Sequence, residues 1–107
     1  MFLAQVTGHV VATQKLVSMV GSKLLVVEPL RLDETSRDCL RGTGRTLVVV
    51  DSLGAGAGEI VLVCQGPSAR LTPETGTLPI DAVVIGIVDS VGIGERAVFK
   101  AGWEIAR

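Results

Sequence analysis

Val48-Val49-Val50-Asp51-Ser52-Leu53-Gly54-Ala55-Gly56-Ala57-Gly58-Glu59-Ile60-Val61-Leu62-Val63 is the stretch whose reading decides the fold. An apolar run enters alternating Gly and Ala, and a second apolar run leaves from Glu59. Valine-rich runs bounded by turn residues read as two strands joined by a loop. Glycine reaches φ > 0 and lets another backbone come close. Three glycines in five positions, with only methyl groups between them, suit tight passage or close packing. What the loop packs against decides the function: a phosphate, a nucleic acid or another copy of the chain.

Working outward, the pattern is β throughout. Phe2, Ala4, Val6, Val10 and Ala12 alternate with Gln5, Thr7, His9 and Thr13, a period of two. Gly8 within that strand predicts a bulge or bend. A second strand is expected over residues 23–32, with Pro29 moving its end toward an edge or bend. Strands three and four, residues 45–53 and 59–65, flank the glycine loop, and residues 80–91 form the fifth. Pro67-Ser68-Ala69-Arg70-Leu71 suits one helical turn. Residues 15–22, 33–44 and 72–79 read as connections, and Ala97-Val98-Phe99 as a short strand in the tail. Five strands and one helical turn predict an all-β fold, a small closed or nearly closed OB-like barrel that removes its own edges. Residues 1–94 are assigned to the barrel and 95–107 to a C-terminal tail that packs on it or on a neighbouring subunit.

At 107 residues the chain fits one domain. A domain of this size buries roughly 65% of its unfolded surface, enough for a core without staples. Valine is the commonest of the hydrophobic residues, which form 48% of the chain. No apolar run approaches the ~20 residues of a membrane helix. The opening Met1-Phe2-Leu3-Ala4-Gln5-Val6 lacks the basic start of a signal peptide, so a cytoplasmic location is expected. Ten basic and eleven acidic residues give a net charge of −1, with no basic excess to attract nucleic acid or an anionic membrane. Cys39 and Cys64 have no metal-type spacing and read as a loop thiol and a packed strand thiol.

Candidate chemistry is sparse. A phosphate loop needs Gly-Lys-Ser/Thr at the start of a helix, whereas Gly58 precedes Glu59 and a strand. His9, the single histidine, has no nucleophile motif beside it. Asp51, Glu59, Asp81 and Asp89 suit turn capping or interface hydrogen bonds better than acid–base catalysis. No catalytic, metal or cofactor-binding residue is predicted. Arg41-Gly42-Thr43-Gly44-Arg45 is a doubly basic turn, able to meet an acidic partner or simply to stay solvated. An OB-type module for single-stranded nucleic acid is the alternative function. It needs aromatic platforms in a basic groove, and this chain has only Phe2, Phe99 and Trp103, all near its ends.

The middle strands are apolar on both faces. In the fifth, Val83, Ile85 and Ile87 share one face, and Val84, Gly86 and Val88 the other. A small barrel uses one face as core, so apolar outer faces predict self-association. Val50-Asp51-Ser52-Leu53-Gly54 is echoed by Val88-Asp89-Ser90-Val91-Gly92, as if two strands ended alike.

These residues resemble the bacterial microcompartment vertex proteins of the EutN/CcmL type. The resemblance is carried by residues 1–15, by Gly21-Ser22-Lys23-Leu24-Leu25-Val26-Val27-Glu28-Pro29-Leu30 and by the glycine-loop signature at 50–63. Gly66-Pro67-Ser68-Ala69-Arg70 and Pro79-Ile80-Asp81-Ala82-Val83-Val84-Ile85-Gly86-Ile87-Val88-Asp89 complete it. Residues 32–44 and the tail after Gly94 depart from the family pattern. The resemblance implies an OB-like barrel assembled as a homopentamer that caps the vertices of a shell tiled by hexamers. It also implies a structural role without catalysis or cofactor. A five-fold ring uses head-to-tail contacts, and small residues fit where five copies crowd an axis. Asp51, Ser52, Gly54, Ala55, Gly56, Ala57, Gly58 and Glu59 are therefore expected at the subunit interface or axial loop. Arg41 and Arg45 are the candidate contacts to shell partners.

Overall fold

In the computed structural model, residues 1–13, 16, 23–71 and 80–106 are described. Apart from Leu16, the connections expected at 15–22 and 72–79 lie outside them. Eight strands run in chain order: β1 (Phe2–Val10), β2 (Lys23–Leu32), β3 (Leu40–Gly42), β4 (Leu47–Asp51), β5 (Ile60–Gln65), β6 (Ala82–Val88), β7 (Ser90–Ile93) and β8 (Arg96–Lys100). A 3₁₀ turn at Gly66–Arg70 stands where Pro67 predicts a helical turn.

The main sheet has the order β1-β5-β6-β4-β2-β3, and β1 also pairs with β2. That extra pairing closes β1, β5, β6, β4 and β2 into a five-stranded barrel. Its ladders are antiparallel except β4 with β6, which is parallel. Closure leaves β3 as a short flap on β2. Inside the barrel, Ala4, Val6, Leu25, Val27, Val49, Val61, Val63, Ala82 and Val84 form one buried cluster. Each fully buried aliphatic side chain contributes about 1.5–3 kcal/mol of transfer free energy.

Two bulges alter the faces expected from strict alternation. The β1–β2 register shifts between Val6 and Gly8, so Val10 comes opposite Leu24 rather than joining the line of Ala4 and Val6. Leu24 packs with the outer cluster of Val50, Ala69 and Val83. In β6 the register shifts where Val84 faces Val63 and Gly86 faces Leu62, leaving Ile85 as the extra residue. Ile87 therefore lies opposite the core residue Val61, away from the face it was expected to share with Val83. One inserted residue exchanges the faces of all that follows.

The expected fifth strand is also split. It stops at Val88, and Ser90 begins a hairpin with β8. Gly94 turns this hairpin at φ 61°. The predicted division between residues 94 and 95 falls within that turn. Val98 and Phe99 of β8 are buried with Leu40 and Ile60, against Leu3, Val88 and Ile105. The hairpin thus covers one outer face of the barrel, and the 3₁₀ turn covers another through Ala69. Much of the two-sided apolar pattern is satisfied within the chain. What stays open includes Val48, 51% exposed, with Leu53, Ile85 and Ile87.

Candidate functional site: the glycine loop and the ends of the barrel

β4 delivers Asp51 into the loop, and its side chain is 3% exposed. Its Oδ1 accepts the Leu53 amide at 2.8 Å, and its Oδ2 accepts the Ala55 amide at 2.8 Å. Ala55 is fully buried and joins the barrel-core cluster. The Ala55 carbonyl accepts Lys23 Nζ at 2.9 Å. Further along, Glu59 Oε1 accepts the Gly56 amide at 2.6 Å. The Gly58 amide then donates to the Val6 carbonyl at 2.8 Å, and Val6 donates to the Glu59 carbonyl at 2.9 Å. The loop is therefore stitched to β1 and β2 and plugs one end of the barrel.

The glycines serve two different needs. Gly54 and Gly58 sit at φ 85° and 86°, where L-residues are strained. A Cβ at either would meet nothing within 4 Å, so within one chain their role is conformational rather than close approach. Gly56 has ordinary φ, and its Cβ would lie 3.3 Å from Glu59 Oε1. Ser52, Gly54, Ala57, Gly58 and Glu59 are exposed around the buried Ala55.

The two candidate arginines separate. Arg41 Nη2 and Nε donate to Asp33 Oδ2 at 2.7 and 3.0 Å. Asp33 Oδ1 accepts the amides of Thr35 and Ser36. The Arg41 hydrogen bond, followed by those two amides, lowers the Asp33 pKa from 3.8 to about 2. The same pairing raises that of Arg41. Arg41 thus holds the β2–β3 turn, whereas Arg45 is exposed and rims a cavity with Phe2, Leu30, Leu47 and Gln65. The Asp33–Arg41 pair was missed in the sequence; Asp33-Glu34-Thr35-Ser36 carried the turn signal, but the arginine eight residues on did not declare itself.

Glu28, another feature the sequence did not reveal, is buried and accepts the Gly44 amide at 2.8 Å. A Cβ on Gly42 would come 2.5 Å from its Oε2, so Gly42 makes room for the carboxylate. His9 is exposed opposite Leu25, and Cys39 and Cys64 are free thiols. Among the described residues, no three His, Cys, Asp or Glu side chains gather as a metal set, and no helix is long and apolar enough to cross a membrane. Phe99 is 4% exposed, leaving Trp103 as the well-exposed ring of the three aromatic residues.

A closed small barrel, with its polar side chains tied into turns, defines a scaffold-type OB-like module. The chain belongs to the EutN/CcmL family: the family model described as "Ethanolamine utilisation protein EutN/carboxysome" matches residues 1–89. It is 50% identical over 91 residues to the bacterial microcompartment shell vertex protein GrpN of Rhodospirillum rubrum, covering 85% of this chain and 96% of that one. It is 45% identical to the shell vertex protein PduN of Salmonella typhimurium, covering 85% of this chain and 98% of that one. Among solved structures, Gloeobacter violaceus CcmL superposes with a TM-score of 0.82 at 37% identity, covering 94% of this chain and 98% of that one. The GrpN pentameric microcompartment shell protein gives 0.73 at 47% identity, covering 88% and 100%.

Proposed function

We propose that this chain is a structural shell protein whose homopentamers cap the vertices of a bacterial microcompartment in the cytoplasm. The observation that carries the reading is its likeness to GrpN, a pentameric shell protein matched over that protein's whole solved chain. The role is mechanical closure rather than catalysis. Five copies form a head-to-tail ring, and hexameric shell proteins tile the flat faces that meet at it.

In this reading, Asp51 to Glu59 lie at the subunit interface near the axis. Their internal hydrogen bonds support it, because a loop pre-set in one conformation loses little entropy when a neighbour packs on it. The segment 95–107 acts as a tail seated on the barrel, Phe99 being its buried anchor. Of the two arginines offered to shell partners, Arg41 acts by shaping its turn and Arg45 by direct contact. Co-expression with a hexameric shell protein tests the function. Closed polyhedral particles are expected with the wild-type chain, and open tubes or sheets without it. Equal closure in both cases would refute the vertex role.

A further inference from the structure

β5 connects two different surfaces. At its Ile60 end, a groove of about 300 Å³ separates the glycine loop from the C-terminal segment. The carboxylate residues Glu59 and Asp89 line it with Phe99 and Trp103. Trp103 is 48% exposed, and no Lys or Arg contributes to the lining. At the Gln65 end lies a second cavity of about 300 Å³, lined by Phe2 and Leu47 and rimmed by Arg45. Six residues of strand span about 17 Å between these ends, beyond the reach of one arginine side chain. A volume near 300 Å³ is at the lower bound of small-molecule pockets, a size suited to a side chain.

Arg45 is exposed, and its guanidinium makes no hydrogen bond or ion pair among the described residues. The other cations near the two ends are committed or misplaced. Lys23 donates to Ala55, Arg31 pairs with Glu34, and Arg41 pairs with Asp33. Arg96 and Lys100 belong to the hairpin that itself carries the groove.

We infer that Arg45 of one copy docks in the groove formed by Glu59, Asp89 and Trp103 of the next copy. The inference rests on the ring reading above and names its contact. Guanidinium is planar, always charged and suited both to carboxylates and to an indole face. Phe2 and Leu47 beside Arg45 supply the apolar surface that meets the Trp103 side of the groove. Two unlike patches at opposite ends are what a closed head-to-tail ring requires, each copy giving one and receiving the other. Trp and Arg at the centre of such a contact are the residue types that dominate interface energies.

The test compares particle mass on dilution for the wild type, Arg45→Asp, Asp89→Arg and the double exchange, with circular dichroism to check the fold. Each single exchange should raise the concentration at which the ring dissociates by at least about tenfold. The double exchange should restore it toward wild type. Trp103→Ala should weaken the ring with its fold intact. Single variants that keep the wild-type mass at every dilution would overturn the contact while leaving the ring reading in place. Single variants that dissociate without recovery in the double exchange would exclude direct pairing. A wild-type chain that stays monomeric would overturn the ring reading, and this contact with it.

Discussion

Two aspartates organise two turns of this chain by opposite means. Asp51 is buried, gives both carboxylate oxygens to backbone amides, and relies on glycine at φ 85° and 86° to shape the loop. Asp33 gives one oxygen to amides and the other to Arg41, and its turn ends on Arg37 at φ 56°, without a glycine. The first loop is an extension of the core, because the amide that Asp51 holds belongs to the fully buried Ala55. The second is a charge-held flap beside β3. Packing and covalent geometry govern the first turn, and pH governs the second.

The largest effect is expected at the first turn. Asp51→Ala orphans the buried Ala55 amide and the Leu53 amide, at about 1–3 kcal/mol for each buried group left unpaired. Urea unfolding should show a clear drop in midpoint with little change in slope. Asp33→Ala should cost less in the same experiment. The reverse order would break the comparison.

Gly58→Val comes next. It forces a β-branched residue to φ 86°, at a cost of at least about 1–2 kcal/mol. Gly56→Leu should affect the chain differently, since its backbone is unstrained. Its side chain presses on Glu59 and on whatever packs over the loop, so the oligomer should weaken more than the fold. Light scattering beside thermal unfolding separates the two.

Acid should act on the second turn. Asp33 has a folded pKa near 2 against 3.8 for the free group, so its contribution is complete above about 4. It is lost as pH falls from about 4 through 2. Asp33→Asn should flatten that part of the stability profile, whereas Asp51→Asn should lower stability at neutral pH as well. The smallest effect is Arg37→Gly, which relieves a positive φ and should change stability by no more than about 1 kcal/mol in either direction.

The barrel was largely legible because valine-rich runs and the glycine loop mark the strands without ambiguity. Its faces were less so. Gly8 announces the β1 bulge, but nothing in Val83-Val84-Ile85-Gly86-Ile87 says which residue is extra; the pairing with β5 decides that. The echo between residues 50–54 and 88–92 misled for a similar reason. After Asp51 the chain leaves the sheet, whereas after Asp89 it resumes as β7, because β8 returns to pair with it. Outer apolar residues read as interface were partly the chain's own seat for Phe99 and Ala69. Long-range pairing and the Asp33–Arg41 bridge depend on tertiary proximity, which local pattern does not encode. The glycine loop itself was legible as a packing element. Its specific chemistry, a buried aspartate placing a buried alanine, became visible only with the barrel closed around it.

The central claim is a closed ring of five copies, and native mass spectrometry of the intact wild-type protein tests it most directly. The account predicts a dominant particle of five times the 11.1 kDa chain mass. A monomer or dimer as the main species at micromolar concentration and moderate salt would contradict it.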